Sequence, residues 1–436
     1  MRARFIGRET AARAACFLVA SLALFAAPAR GADEWTAYQH DVGHTGRSAA
    51  DFDPRSLAKV WSAPEGYATP LVVGPNVIAT RNGQNASGQR TDYTSFGLAG
   101  GNVNWTAGGN YFFPSQAAAG EGLVVYAASN GEFADDRLYV RDAASGALKY
   151  TVPLERAIGG IPTIHRDAAT GVVSAYYSSG GHLTAVTLGA ESGSVRWSHL
   201  GSYDAASVPT IAGESVVVAS PGQFYAYRQG DGEPNQFYAG NVNGGGGTTP
   251  AFDAARKRLY VLEWHDAGRN SLTAYNYADN ATITQLWTRT GPGIQNGSSV
   301  AIGKDGKLYA ADPTLLIEMD PDTGQTLRSV EGRFGAIVTP ALQDGYVWTF
   351  GADSTMAFSL NDLSLVRSLP GSRGDLSGWY SSPGAIADQH FLLDYNYFGG
   401  MPGFDVYRAV PEPSSLAGVA LFAFATLSRP GRRRRR

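Results

Sequence analysis

One short phrase recurs along the chain at a nearly constant interval: a Ser or Thr beside a Pro, followed by small and apolar residues. It reads A-T-P-L-V at Pro70, F-P-S-Q-A at Pro114, I-P-T-I at Pro162 and V-P-T-I-A at Pro209. It returns as T-T-P-A-F at Pro250, V-T-P-A-L at Pro340 and S-S-P-G-A at Pro383, with G-S-S-V-A at Ser299 filling the one gap without proline. Successive steps are 44, 48, 47, 41, 49, 41 and 43 residues. Eight copies at that period point to a β-propeller or another array of sheet units, because a single unit of this size cannot bury its apolar face alone.

The interior of each interval has the same layout. A β-branched or alternating strand follows the phrase, as in N-V-I-A-T, G-L-V-V-Y-A-A, E-S-V-V-V-A, R-L-Y-V-L-E and K-L-Y-A-A. A third strand comes next (R-L-Y-V-R-D-A, S-L-T-A-Y-N-Y), then a tight turn and a fourth strand. The turn is written alike in several copies: Gly101-N-V-N-Trp105, Gly146-A-L-K-Tyr150, Gly193-S-V-R-Trp197 and Gly324-Q-T-L-Arg328. Glycine there supplies the positive φ that closes a hairpin, and an aromatic four residues on can dock between neighbouring sheets. Four short strands per interval describe a propeller blade, and helical periodicity is absent.

Fourth strands lie near Trp105, Tyr150, Trp197, Phe237, Trp287, Arg328 and Val366, which makes seven. The eighth interval has an inner strand at Pro383 and two successors, F-L-L-D-Y-N and F-D-V-Y-R-A, but no fourth strand before the chain changes character. The segment A-K-V-Trp61-S, from the start of the domain, is predicted to supply it. The expectation is an all-β, eight-bladed β-propeller of four-stranded blades, closed by an N-terminal strand, which removes two exposed edges.

The repeats G-L-V-V-Y…R-L-Y-V-R-D-A-A-S-G-A-L-K-Y and D-G-K-L-Y…I-E-M-D-P-D-T-G resemble the PQQ-like, or quinoprotein-type, repeat. The lead-in Trp35-T-A-Y-Q-H-D-V-G-H-T-G46 is similar to the segment that precedes the first blade in such proteins. The resemblance covers roughly residues 35–409 and implies a fold more than an activity, because enzymes and scaffolds share the repeat. Quinoprotein alcohol dehydrogenases are much longer, hold PQQ with an adjacent cysteine pair in many members, and bind calcium through Glu, Asn and Asp. Those ligands do not map onto this chain residue by residue.

The two ends read as addresses. Arg2, Arg4, Arg8 and Arg13 precede the apolar run from Ala14 to Ala27, and Ala27-Pro28-Ala29 follows. That is the layout of a cleavable secretory signal over residues 1–29. Cys16, the only cysteine, lies inside that run, so the mature chain is expected to have no disulfide, thiolate metal site or cysteine nucleophile. Residues 33–58 form a lead-in, 59–409 the propeller and 410–436 the tail.

The tail carries Pro411, Glu412 and Pro413, then an apolar segment, then Arg432, Arg433, Arg434, Arg435 and Arg436. Its uncharged stretch, residues 414–428, makes about 22 Å of helix against a hydrocarbon layer of ~30 Å, a short transmembrane segment. The terminal arginines place that end in the cytoplasm. Order, spacing and position resemble the PEP-CTERM sorting signal of Gram-negative envelope proteins. That resemblance implies processing by an exosortase-type enzyme, transient seating in the inner membrane, and delivery to the cell surface or extracellular matrix. A plain stop-transfer anchor is the alternative.

Residues 1–31 hold five arginines and Glu9, and residues 411–436 hold six arginines and Glu412. Without them 24 basic and 36 acidic side chains remain, a net charge of −12. Such a body repels phosphate backbones, so nucleic acid is not an expected partner.

Few motifs point to chemistry. Asp320-P-D-T-Gly324 resembles the start of a calcium loop with Glu331 at its twelfth position, but D-A-A-S-G and G-A-E-S-G fill the same slot in other blades, which favours turn chemistry. The seven histidines show no H-E-x-x-H spacing, so no metal site is expected. In a propeller the loops entering each inner strand share a face with those joining the second and third strands. Here they contain Asn110, Tyr111, Phe112, Glu132, Asp135, His265, Asp266, Trp379, Tyr380 and Tyr397. Aromatic rings among amides and carboxylates suit sugar stacking and hydrogen bonding, and inter-blade packing is the competing role for the rings. The favoured expectation is a non-catalytic, exported binding or scaffold module for polysaccharide or an envelope protein, with no cofactor and no catalytic residue. The alternatives are a dehydrogenase using PQQ and calcium, and a propeller enzyme that cleaves polysaccharide with a carboxylate pair.

Overall fold

The computed structural model describes residues 33–410, apart from positions 65, 110, 158, 180, 221 and 352 and the stretches 84–89, 112–114, 130–134, 202–206, 243–248, 266–268, 278–282, 295–298, 335–338, 372–383 and 395–402. Eight four-stranded antiparallel sheets follow one another along the chain. Blades 1 to 7 occupy residues 67–109, 118–153, 163–200, 210–242, 251–290, 301–331 and 339–370. The eighth sheet pairs Gly384–Ala387, His390–Asp394 and Phe404–Ala409 with the N-terminal strand Leu57–Ser62. In that last pair Leu57 faces Ala409 and Trp61 faces Val406, so the expected closure by the first strand is the one observed.

The recurring Ser/Thr–Pro phrase marks the inner strand of each blade. An inner strand is a sheet edge, where proline's missing N–H leaves no ladder bond unmade. The hydroxyls link one blade to the next: Thr163 Oγ1 donates to the Pro209 carbonyl at 2.6 Å, and Thr210 Oγ1 to the Pro250 carbonyl at 2.8 Å. Ser115 and Ser207 instead accept from Ala127 N and Ala219 N on their own second strands.

Each outer strand has a bulge against its third strand at an equivalent place, as at Ser95/Phe96, Val140/Arg141 and Ala185/Val186, through to Lys59/Trp61. Beside seven of these bulges a described outer-strand side chain reaches the next blade. Trp61 Nε1 donates to Leu98 O (2.8 Å), Trp105 to Ala143 O (3.1 Å), Trp197 to Gln229 O (3.1 Å) and Trp287 to Pro321 O (3.0 Å). Each indole lies against a glycine of the turn it bonds. A Cβ at Gly101 would sit 2.6 Å from Trp61 Cδ2, and one at Gly146 2.5 Å from Trp105 Cδ2. Both glycines also have positive φ, 71° and 72°, so the turn demands glycine for space and for backbone. Gly193 departs from the expectation: it begins the strand Gly193–Leu200 without a positive φ. The turn there is closed by Gly189 N bonding Ser192 O (2.9 Å), and Tyr150 donates its hydroxyl to Gly189 O at 2.8 Å.

Two blades use arginine in place of the aromatic. Arg328 donates to Leu360 O and Asn361 O in blade 7, and Arg367 donates to Arg55 O and Leu57 O across the closure. Glu318, 1% exposed, accepts from Arg328 and lies 3.4 Å from Lys307 Nζ, which offsets the cost of burying its charge.

The lead-in crosses the inner strands as a strap. It exchanges backbone bonds with Val72 through Trp35, then bonds Ala119 through Thr36, Ile211 through Val42, Phe252 through Gly43, Ile302 through Thr45 and Leu342 through Gly46. Six blades are thereby tied to one segment. Its path requires left-handed backbone at Gln39, His40 and His44, a cost these bonds offset. Asp41 shapes the bend by accepting from Gly43 N and Thr45 N, each at 3.0 Å. Partial burial works to raise its pKa, but the His40 ring and the Thr45 donors outweigh this and hold the carboxyl below the usual range.

Trp61 belongs to the closure and not to a single blade, packing against Phe96 and Phe404 at 5.7 and 5.5 Å between centroids. Trp61→Ala is expected to lower unfolding stability by about 3 kcal/mol with an unchanged m-value, read by urea denaturation followed by circular dichroism. A separate early transition confined to the first strand would contradict global closure.

Candidate functional site

Strand direction divides the molecule into two faces. First-to-second and third-to-fourth connections lie on one, here the turn face, and are short, as at 74–75, 121–122, 213–214 and 344–345. The other, the loop face, receives second-to-third connections and every crossing between blades. Those crossings run 110–117, 154–162, 201–209, 243–250, 291–300, 332–338 and 371–383. Irregular, longer segments held on a rigid scaffold are where binding residues concentrate.

Of the residues singled out from sequence, Tyr111, Asp135 and His265 lie at the loop-face ends of their blades. Asn110, Phe112, Glu132, Asp266, Trp379, Tyr380 and Tyr397 lie outside the described residues, as do Pro411, Glu412, Pro413 and Arg432–Arg436. His265 ends the second strand of blade 5, paired in register with Arg269. Asp135 is half-buried beside Arg137, whose Nε donates to its Oδ1 at 2.7 Å.

Tyr111 is drawn inward. It is 8% exposed and packs on Tyr126 and Tyr139, with centroids 6.0 and 5.1 Å away. Tyr93 stacks on the far side of Tyr126 at 3.7 Å, and Arg141 Nε donates to the Tyr126 hydroxyl at 2.9 Å. Burial raises the pKa of Tyr93, Tyr126 and Tyr139, keeping these phenols protonated. The described geometry therefore gives Tyr111 a packing role between blades 1 and 2.

Sequence reading missed a set of carboxylates on this face, of which Asp136, Glu263 and Asp394 are buried and Asp312 half-buried. Asp136 Oδ2 accepts from Ala157 N (3.1 Å), Asp312 Oδ2 from Gly293 N (2.6 Å) and Asp394 Oδ2 from Thr69 N (2.6 Å). Each sits where a second strand ends or a third begins; Asp136 and Asp312 grip the backbone of a crossing, and Asp394 that of the first inner strand. Glu263 accepts from the Tyr275 hydroxyl at 2.5 Å and from Ser271 Oγ at 3.2 Å. The available signal was their position: an acid at the tip of the middle hairpin in several repeats.

The turn face carries a cleft of about 600 Å³ between blades 2 and 3, lined by Glu121, Asp142, Lys149 and Arg166 among glycine turns. Lys149 Nζ lies 3.8 Å from Glu191, and Asp142 accepts from Ser145 N and Oγ. Arg166 meets Glu121 at 2.5 Å and, by that hydrogen bond, holds the carboxyl below its usual range. Asp320 accepts from Asp322 N and Thr323 N at 2.8 and 2.9 Å, which is turn chemistry.

Among the described residues no three His, Cys, Asp or Glu side chains converge on a possible metal position. His44, buried beneath the inner strands, has Nδ1 2.7 Å from Tyr38 O and Nε2 3.1 Å from Pro209 O. Burial pushes its pKa below the ordinary value, against the pull of those carbonyls.

A family profile described as outer membrane protein assembly factor BamB matches residues 46–239 and, in an overlapping copy, 134–331. The chain belongs to this family. Among solved structures, BamB from Moraxella catarrhalis is similar at 12% identity, covering 82% of this chain and 98% of that one, with a TM-score of 0.55. A europium-containing methanol dehydrogenase aligns at 10% identity over 78% of this chain and 85% of its own, TM-score 0.51. A computationally designed protein, Ika8, aligns at 14% identity over 80% and 98%, TM-score 0.56. At such identities these likenesses show the BamB-like propeller fold alone. No curated protein matches in sequence.

Tyr111 and Asp135 separate the packing and surface roles of the loop face. Tyr111→Ala is expected to cost about 3 kcal/mol in stability, and Asp135→Ala to stay within about 0.5 kcal/mol, both by urea denaturation. Equal effects would contradict the assignment.

Proposed function

We propose that this BamB-like propeller is an exported binding or scaffold module of the cell envelope, without catalysis of its own. It engages a polysaccharide or an envelope protein through its loop face, and its tail carries it to the surface by way of an exosortase-type enzyme. The asymmetry of the faces carries this reading: tight turns on one side, the longer inter-blade crossings with their aromatic and polar residues on the other. The carboxylates of this face support it, since Asp136, Asp312 and Asp394 are each engaged with a backbone N–H group and act as braces. The family description names an outer membrane assembly factor, which accords with an envelope site and a scaffold role. The net charge of the mature body, −12, favours neutral or basic partners over nucleic acid.

Glycan arrays and envelope pull-downs with residues 33–410 test the binding reading. Retention of a glycan or an envelope protein is expected, reduced at least tenfold by Trp379→Ala with Tyr380→Ala while the fold stays intact. Addition of PQQ and calcium is expected to give no holo absorbance band; a band with dye reduction would replace this reading by the dehydrogenase. For the tail, Glu412→Ala is expected to leave folding untouched and the chain unprocessed at the inner membrane. Mass spectrometry that finds Arg436 intact on most wild-type molecules, in a host with exosortase, would leave only a plain anchor.

A further inference from the structure

Both ends of the described chain leave from the same side of the molecule. Trp35 and Val72 exchange backbone bonds at 3.0 and 2.9 Å near the turn-face end of the first inner strand. At the other end Leu57 pairs with Ala409, Ala409 N bonds Gln389 O at 2.8 Å, and Val410 N bonds Ser56 O at 3.1 Å. Ser56 and Gln389 both belong to the turn face, the first just before the closing strand and the second in the turn between Gly384–Ala387 and His390–Asp394. The last fixed point of the chain is therefore on the turn-face rim of blade 8, away from the loop face.

Only Pro411–Ser415 separates Val410 from the apolar run that starts at Leu416. Five fully extended residues span at most about 18 Å. A compact body of this size has a radius of gyration of roughly 21 Å. The tether is thus shorter than the body it holds, and two of its residues are prolines with restricted φ. A body on so short a tether cannot roll over to bring its far side to the bilayer.

We propose that, while its tail is seated in the membrane, the propeller is held with its turn face toward the lipid headgroups and its loop face directed away. This rests on the reading of the tail as membrane-seated. The turn face becomes the membrane-side surface, and the loop face is presented to partners that approach from outside. Exposed acids on the turn face, among them Glu214, Asp231, Asp322, Asp344, Asp362 and Asp388, set the gap. They repel an anionic headgroup layer, and added salt screens that repulsion, so the gap narrows as ionic strength rises.

The mature chain has no cysteine, so single-cysteine variants report cleanly. Full-length, signal-free Glu412→Ala protein, uncleaved, is reconstituted into phosphatidylethanolamine–phosphatidylglycerol vesicles carrying an acceptor dye at the headgroups. A donor is attached in separate samples at Asp344→Cys on the turn face and Asp353→Cys on the loop face of the same blade, both exposed positions. Energy transfer is expected to be several-fold greater from position 344 than from 353, and to rise at 344 with added salt. A twenty-residue Gly-Ser spacer after Val410 is expected to bring the two close to equal. Protein that floats with vesicles yet gives equal or reversed transfer with the native tether overturns the orientation. Protein that does not float overturns the tail reading, and the orientation with it.

Discussion

An outer-strand side chain that donates to a carbonyl in the next blade's turn is the contact on which the ring depends. Among the described residues Trp61, Trp105, Tyr150, Trp197, Trp287 and Arg328 make it, each beside a bulge in its own outer strand, and Arg367 makes its counterpart to Arg55 O and Leu57 O at the closing strand. The bulge adds local twist and re-aims the side chain. The glycine turn opposite leaves room for an indole to lie flat, and the turn carbonyl, with no ladder partner, gains a donor. One device thus supplies apolar burial, hydrogen bonding and angular spacing. Because the ring is closed, the eighth sheet must be completed from the other end of the chain, and Trp61 and Arg367 make the two contacts that flank that seam.

Much of this architecture was legible because every blade solves the same packing problem and so repeats the same residues. The Ser/Thr–Pro phrase marks an edge strand that tolerates proline, and the turn phrase places glycine and an aromatic four residues apart. Counting then left one sheet a strand short, and Ala58–Ser62 was the segment expected to fill it. What escaped the reading has physical reasons. Arg328 and Arg367 replace an aromatic yet satisfy the same carbonyls, so chemistry was kept while residue type was not. The strap has no period to detect, since Val42, Gly43, Thr45 and Gly46 each answer to a different blade.

The candidate face was harder to read than the fold. A tyrosine in a loop serves equally well to stack on a sugar or to fill a gap between sheets, because its ring is apolar and its hydroxyl is polar. Tyr111 does the second. Asp136, Asp312 and Asp394 look in sequence like acids available for chemistry, yet each has one oxygen engaged by a backbone N–H from outside its own hairpin. A fold of this kind leaves function to the side chains that its loops carry, and the repeat pattern does not specify those.

The central claim is that the N-terminal strand is an integral part of the ring and no loosely appended edge. Hydrogen exchange with mass spectrometry measures this directly under native conditions. If the closure carries the ring, the amides of Val60–Ser62 exchange only through global opening, as slowly as those of the buried second strand Leu123–Ser129, and both follow the global stability as urea is added. Exchange of the first strand through a low-energy local opening, insensitive to urea while the other blades stay protected, would contradict the account.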